Sequence, residues 1–316
     1  MFWDNRVSEQ EGPFKVLLKR GDFVDEARGG RTVPFKLYHP DEHGPGSIPV
    51  IVWSHGLGGN RDGAAFISRY LASYGYAILH LSHAGTDSGL WEGKEGHPWD
   101  IIRNTHIPRE ATLNRFKDVP FALDAFKGWA NDNPDVGEAL DFDALGMSGH
   151  SFGSLTTQVI GGQLVPNEDE VLTSYHDPRF KAGIAYSPVP IAHLSDAPPE
   201  EIYSTISIPL LHMSGTEDDS PIEGFDYKHR LVVHEHSGHP EKYLLLKKDG
   251  DHMVYNGTRG KLAANPLRDR HEDLIKVTSL AFWDAQLKDD EKAREWLSRQ
   301  GIEAYIAEDA EFKVSE

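Results

Sequence analysis

Short apolar runs of strand length alternate along most of the chain with longer stretches whose apolar residues recur at helical spacing. Ile48-Pro49-Val50-Ile51-Val52-Trp53, Tyr76 to Leu81, Asp143 to Met147, Lys181 to Tyr186 and Ile208 to Met213 read as strands, and Lys242 to Leu246 as the last of them. Their near-continuous apolar character is that of strands covered on both faces. Gly63 to Tyr74 puts Ala64, Ile67, Leu71 and Tyr74 on one helical face, with Gly75 as C-cap. Phe116 to Trp129, Gly153 to Ile160, Leu274 to Leu287 and Glu291 to Leu297 are the other predicted helices. Ahead of this series, Phe14 to Lys19 and Thr32 to Tyr38 read as an antiparallel edge hairpin around Arg28-Gly29-Gly30. Residues 84–114 read as a long polar connection, and 188–207 is too short for more than a small lid. The pattern predicts an α/β fold with a mostly parallel central sheet, helices on both faces, an antiparallel N-terminal edge hairpin and no large cap domain. With no repeat, low-complexity tract or linker, it reads as one domain over 1–316, with edge strands in 1–45 and the core in 48–300.

Composition narrows the function classes. The 32 basic and 50 acidic side chains give a net charge of −18, which argues against nucleic acid or an anionic membrane as partner. No apolar run is long enough to span a bilayer. The chain has no cysteine, which excludes disulfides, thiol catalysis and thiolate metal sites. Met1 to Arg6 lacks the apolar core of a signal peptide, so a cytoplasmic protein is expected, or an exported one if a leader preceded this numbering.

The chemistry concentrates at Gly149-His150-Ser151-Phe152-Gly153, where a predicted strand meets a predicted helix. Gly-x-Ser-x-Gly in that context is a nucleophile elbow, in which a strained turn holds the serine hydroxyl out beside a helix N-terminus. A serine hydroxyl becomes a nucleophile when a histidine takes its proton and a carboxylate fixes that histidine's tautomer. Carboxylates follow one later strand in Gly215-Thr216-Glu217-Asp218-Asp219, and His252 follows the next in Gly250-Asp251-His252. The order serine, acid, histidine, each after a strand, is the one this kind of fold uses. An oxyanion also needs backbone donors. Phe152 N–H supplies one, and Leu57 N–H in Ser54-His55-Gly56-Leu57-Gly58-Gly59 the other.

Ser54-His55-Gly56-Leu57-Gly58 together with Gly149-His150-Ser151-Phe152-Gly153 resembles the paired motifs of platelet-activating-factor acetylhydrolase-like and dienelactone-hydrolase-like α/β-hydrolases. The resemblance covers roughly residues 48 to 260 and includes Ala72-Ser73-Tyr74-Gly75-Tyr76-Ala77 and the segment from His80 to Ser88. It implies an α/β-hydrolase fold and serine esterase activity. Two departures stand out. Dienelactone hydrolases use cysteine where this chain has Ser151, and the acetylhydrolases carry their acid just after the strand that follows the elbow, where this chain has Tyr186-Ser187-Pro188. The acid is therefore expected in the next loop. Gly-x-x-Asp ahead of a proline, a spacing similar to that of many hydrolases of this fold, selects Asp218, with Asp219 as runner-up. Asp251 is too close to His252 in sequence to turn toward it, and Asp196 is the first carboxylate after Tyr186.

The expected activity is carboxylic ester hydrolysis by Ser151, Asp218 and His252 with the Leu57 and Phe152 amides, on a small-molecule or polymeric ester, with no cofactor and no metal. Amide or peptide hydrolysis on the same triad, or a non-catalytic binding protein on the same fold, are the alternatives. Trp91, Trp99 and Tyr186 are candidate cleft residues. His234-Glu235-His236-Ser237-Gly238-His239 has metal-like spacing but reads as a polar loop beside Pro240. Nothing in the sequence speaks to oligomeric state.

Overall fold

The computed structural model describes residues 2–192, 195–257, 265–298 and 300–315. Strands β1 (Val16–Asp25) and β2 (Arg31–Pro40) form the antiparallel edge hairpin, paired from Val16↔Pro40 to Asp25↔Arg31. It is longer than the apolar pattern predicts. β1 keeps much of its side-chain surface in solvent, so polar residues such as Lys19 and Asp22 do not end it. β3 (Ile48–Ser54) and β4 (Ala77–Leu81) follow, then β5 (Leu140–His150), with β6 (Val165–Pro166) and β7 (Leu172–Thr173) making a separate two-stranded ribbon. β8 (Phe180–Tyr186), β9 (Leu210–Glu217), β10 (Lys242–Asp251) and β11 (Ala310–Ser315) complete a nine-stranded sheet in the order β1-β2-β4-β3-β5-β8-β9-β10-β11. The six strands from β4 to β10 in that order run parallel, and the outer pairs β2–β4 and β10–β11 are antiparallel. Lys242 to Leu246 is therefore not the last strand. β11 adds an alternating edge, with Phe312 opposite Leu245 and Val314 opposite Tyr243.

The helices are α1 (Ala65–Ser73), α2 (Pro98–Arg103), α3 (Arg109–Asp132), α4 (Pro134–Gly137), α5 (Phe152–Ile160), α6 (Pro199–Tyr203), α7 (Tyr227–His236), α8 (Arg268–Leu287), α9 (Glu291–Ser298) and α10 (Gln300–Ile306). The 84–114 connection thus holds α2 and the first turn of α3, whose Leu113 and Phe116 are both buried. Residues 234–236 form the last turn of α7 rather than a loop, and His234 packs edge-on against His212 with centroids 5.2 Å apart. Among the described residues, the α-helix between β8 and β9 is the five-residue α6; residues 193 and 194 of the 188–207 segment lie outside them.

Alternation along the strands sorts the core onto two faces. Ile51, Trp53, Ile184, Met213 and Leu245 meet α1 and α8 on one side. Val50, Val52 and Met147 meet Val119, Leu123 and Phe126 of α3 on the other. Trp283 of α8 is fully buried and lies so close to β5 that a Cβ on Gly146 would sit 2.6 Å from its ring. Truncating a side chain of that size in a packed core costs about 3–5 kcal/mol. The fold is that of an α/β-hydrolase. Its parallel strands bring Ser54, His150, Tyr186, Glu217 and Asp251 to one edge of the sheet, where such folds bind ligands. Among the described residues no helix is long and apolar enough to cross a membrane.

Candidate active site

Ser151 lies between the end of β5 and the start of α5 with φ 55° and ψ −119°, a strained conformation for a residue with a side chain. Close packing around the turn makes its two glycines necessary. A Cβ on Gly149 would come 2.4 Å from the Gly153 carbonyl, and one on Gly153 only 1.8 Å from Ser54 O. The Ser151 amide donates to Tyr186 O at 2.9 Å, which ties the elbow to β8.

The three residues expected to form a triad come together at the strand ends. His252 Nδ1 lies 2.7 Å from Asp218 Oδ1, and Ser151 and His252 line one cleft. Among the described residues no hydrogen bond joins the Ser151 hydroxyl to the imidazole; in ligand-free sites such bonds are commonly long and tighten when substrate arrives. Asp218 is fully buried and accepts from Ser187 Oγ at 2.7 Å and Ser214 Oγ at 2.9 Å. Burial by itself would raise its pKa; the Arg230 charge and the bonds from His252 and Ser187 outweigh that and hold it well below the usual carboxylate range. Ionised Asp218 fixes the proton of His252 on Nδ1, which in the neutral ring leaves Nε2 as the acceptor. The other carboxylates turn away. Glu217 and Asp219 are exposed, with Asp219 accepting from Tyr227 N at 3.2 Å, and Asp251 pairs with Arg268 at 3.3 Å.

Around the serine, Phe152 N–H is the first amide of α5 and has no intrahelical acceptor. Leu57 N–H also lacks a protein acceptor among the described residues, whereas its neighbours are engaged: Gly58 N donates to Thr86 O at 2.9 Å and Gly59 N to Gly56 O at 3.0 Å. Two such amides near Ser151 are candidate donors for an oxyanion. His150 packs on His252 with centroids 4.6 Å apart, and its Nδ1 lies 3.1 Å from Asn256 Oδ1. Burial first, then the neighbouring His252, hold its pKa well below the ordinary histidine value, so it is neutral.

The cleft has a volume of about 250 Å³. Trp91, Trp99, Ile102, Ile222 and Met253 are among its apolar lining residues, and Trp91 Nε1 donates to Gly58 O at 2.7 Å. Tyr186 does not line it. As the last residue of β8 its side chain points into the core, where it is fully buried and its hydroxyl meets Ser279 Oγ at 2.8 Å. A larger hollow of about 600 Å³ lies near the N-terminus, but its buried carboxylate, Asp284, already binds Trp3 Nε1 at 3.0 Å and the Tyr76 hydroxyl at 2.7 Å. No group of three or more histidine, aspartate or glutamate side chains among the described residues has the arrangement to hold a metal.

Residues 21–90 match the family described as platelet-activating factor acetylhydrolase, isoform II. That stretch runs from β1 past β4 and includes the Leu57 loop. The chain resembles platelet-activating-factor acetylhydrolases. It is 25% identical over 220 residues to the platelet-activating factor acetylhydrolase of Canis lupus familiaris, covering 61% of this chain and 45% of that protein. Against the Cavia porcellus protein of the same name, identity is 23% over 311 residues, 85% of this chain and 64% of the relative. A putative phospholipase A2 of Schizosaccharomyces pombe is 24% identical over 279 residues, 71% of this chain and 60% of its own. The chain therefore spans about half to two thirds of the length of these relatives.

Two buried arginines escaped the sequence reading. Arg230 of α7 donates from Nε to Asp218 O at 2.6 Å and lies beside the Asp218–His252 pair, and Arg115 of α3 lies beneath the Leu57 loop. Both sit on helices whose sequence carries no catalytic motif. The one signal is a charged residue on a face otherwise apolar, as Arg115 and Asp118 are between Leu113, Phe116 and Val119.

Proposed function

We propose that the chain is a serine hydrolase of carboxylic esters acting through an acyl-enzyme. Ser151 Oγ attacks the ester carbonyl carbon while its proton passes to His252 Nε2, and Asp218 stabilises the resulting imidazolium. The carbonyl oxygen becomes an oxyanion held by Leu57 and Phe152 N–H. Collapse breaks the bond to the alcohol, which leaves with the proton from His252. Water then gives its proton to His252, attacks the acyl carbon and releases the acid, with Ser151 recovering its hydrogen.

The observation that carries this reading is the 2.7 Å contact between Asp218 and His252 in the same cleft as a serine on a strained elbow. A histidine oriented by an ionised carboxylate is the base such a serine needs. The relatives named above, acetylhydrolases and a putative phospholipase, support ester substrates, and the small cleft supports a short acyl group. Labelling with a fluorophosphonate tests it, because that reagent requires an activated serine. Wild type is expected to label at Ser151 and to hydrolyse nitrophenyl acetate. Ser151→Ala, smaller at a position the elbow tolerates, is expected to fold, resist labelling and lose turnover. A folded Ser151→Ala variant that kept most of its turnover would remove Ser151 from the mechanism.

A further inference from the structure

A second serine–histidine–aspartate array lies beneath the candidate oxyanion loop. Ser54 Oγ is 2.9 Å from His83 Nε2, and His83 Nδ1 is 3.0 Å from Asp118 Oδ2. All three side chains are fully buried, so no substrate reaches Ser54. Its hydroxyl oxygen is also occupied by Arg115 Nη2 at 2.8 Å. The array is therefore a scaffold, and its proton directions follow from its donors and acceptors. Asp118 only accepts, so His83 holds its ring proton on Nδ1, and burial keeps the ring neutral. Nε2 therefore accepts the Ser54 proton, while Ser54 Oγ accepts from Arg115. The His83 backbone N–H donates to His55 Nε2 at 3.1 Å, so His55 carries its proton on Nδ1 and donates to Gly56 O at 2.7 Å. Gly56 O thus accepts from the His55 ring and from Gly59 N, which fixes and polarises the peptide whose other end is Leu57 N–H.

Arg115 holds this arrangement on both sides of the serine. Toward the Leu57 loop its guanidinium also donates to His55 O, and Nη1 reaches Thr86 Oγ1 at 3.0 Å; the Thr86 carbonyl takes Gly58 N. Toward the elbow, Nε donates at 2.8 Å to Thr156 Oγ1, which itself donates to Phe152 O at 3.1 Å, and the guanidinium lies 4.7 Å from the centre of the Phe152 ring. Among the described residues no carboxylate pairs with it. Asp118, the nearest acid on its own helix, is taken by Arg31 at 2.7 Å, Arg28 at 2.8 Å and His83. A buried cation without a counter-ion is costly unless an anion forms nearby.

We propose that Arg115 is the positioning residue of the oxyanion hole: it sets the Leu57 and Phe152 amides relative to each other and, as a buried cation, stabilises the charge that develops between them. The inference rests on the Ser151 reading above.

The test uses Arg115→Met, Arg115→Lys and the near-isosteric Thr156→Val, each checked for folding and active-site content. The readouts are kcat and KM on nitrophenyl acetate and inhibition by a trifluoromethyl ketone, which forms an oxyanionic adduct on serine, and by its methyl ketone counterpart, which stays a carbonyl. Arg115→Met is expected to lower kcat by about 100-fold, the scale of losing one oxyanion donor. Its KM and methyl ketone inhibition should hold while trifluoromethyl ketone affinity falls in parallel with kcat. Arg115→Lys should recover part of the loss, and Thr156→Val should show a smaller loss in the same direction. Unchanged kcat in the folded variants, or equal weakening of both ketones, overturns the proposal; if Arg115→Met does not fold, the other two variants decide it. Failure of wild type to react with a fluorophosphonate at Ser151 would instead remove the reading beneath it, and the proposal with it.

Discussion

Arg230 Nε lies 3.2 Å from Asp218 Oδ1, the same oxygen that takes His252 Nδ1 at 2.7 Å. Arg230 Nη2 is also 3.3 Å from that nitrogen, but both atoms carry protons, so this is two donors crowding one acceptor rather than a further hydrogen bond. The cation shares the carboxylate charge that would otherwise stabilise the imidazolium. It is also the charge that does most to keep the buried Asp218 ionised, and without it that carboxylate takes up a proton at higher pH. Arg230→Met is therefore expected to shift the acidic limb of the kcat/KM profile upward. His150 stays neutral beside His252 in both proteins and does not contribute to the difference. A limb that stays in place would show that Arg230 only fills space.

The acid itself is open to a direct comparison. Asp218→Asn keeps the shape of the side chain but no longer selects the productive tautomer of His252, and kcat should fall on the order of 10⁴-fold. Asp219→Asn should be mild, since that carboxylate is exposed and meets only the Tyr227 amide among the described residues. A large loss from Asp219→Asn and a small one from Asp218→Asn would transfer the role.

The parallel sheet was legible because its strands are apolar on both faces, as Val50 and Ile51 are, and because each ends in a motif of small or polar residues. Edge elements were less legible. β11 alternates over only six residues, and β1 runs through polar positions because solvent covers one of its faces. Spacing picked out Ser151, His252 and Asp218, since short-range rules link each to a strand end. Arg115 and Arg230 obey no such rule. They reach the site across 61 and 12 residues of sequence, through contacts that exist only when the helices dock. Tyr186 failed for the opposite reason: strand alternation, not proximity to the elbow, decides where its ring points.

Lys247 is a buried amine on β10 that donates to Ser214 O at 2.8 Å and to the Tyr255 hydroxyl. Burial pulls its pKa down to about 7, against the smaller opposing pull of Asp218 and Asp251. Between pH 7 and its ordinary value the unfolded chain binds a proton there that the folded chain does not, so its contribution to stability rises with pH across that window. Below pH 7 the folded protein carries the full penalty of the buried charge. Lys247→Met is therefore expected to remove this rise, with the difference in unfolding free energy between variant and wild type changing steadily from pH 7 to 10. Parallel stability curves across that range would contradict it.

Acyl-chain preference follows from the walls of the cleft. Its volume of about 250 Å³ falls below the ~300–1,000 Å³ of pockets that enclose drug-sized ligands, so a short acyl group and the ester itself fill it. Both tryptophans line it, but they do so differently. Trp91 is tied to Gly58 O by its indole N–H, next to the candidate donor Leu57, whereas Trp99 lies on α2 with Arg103 5.9 Å from its ring centre. The first should govern the hole and the second the room for substrate. Wild type is expected to cleave acetyl and butanoyl esters faster than octanoyl esters at matched, submicellar concentration. Trp99→Ala should flatten that dependence by favouring the longer chain. Trp91→Phe, which keeps a ring but loses the bond to Gly58, should instead lower kcat by roughly fivefold for every chain length, since one neutral hydrogen bond is worth about 1 kcal/mol. Faster hydrolysis of octanoyl than acetyl esters by wild type would show that the long chain binds outside this cleft, and equal chain-length profiles in wild type and Trp99→Ala would show that Trp99 does not limit it.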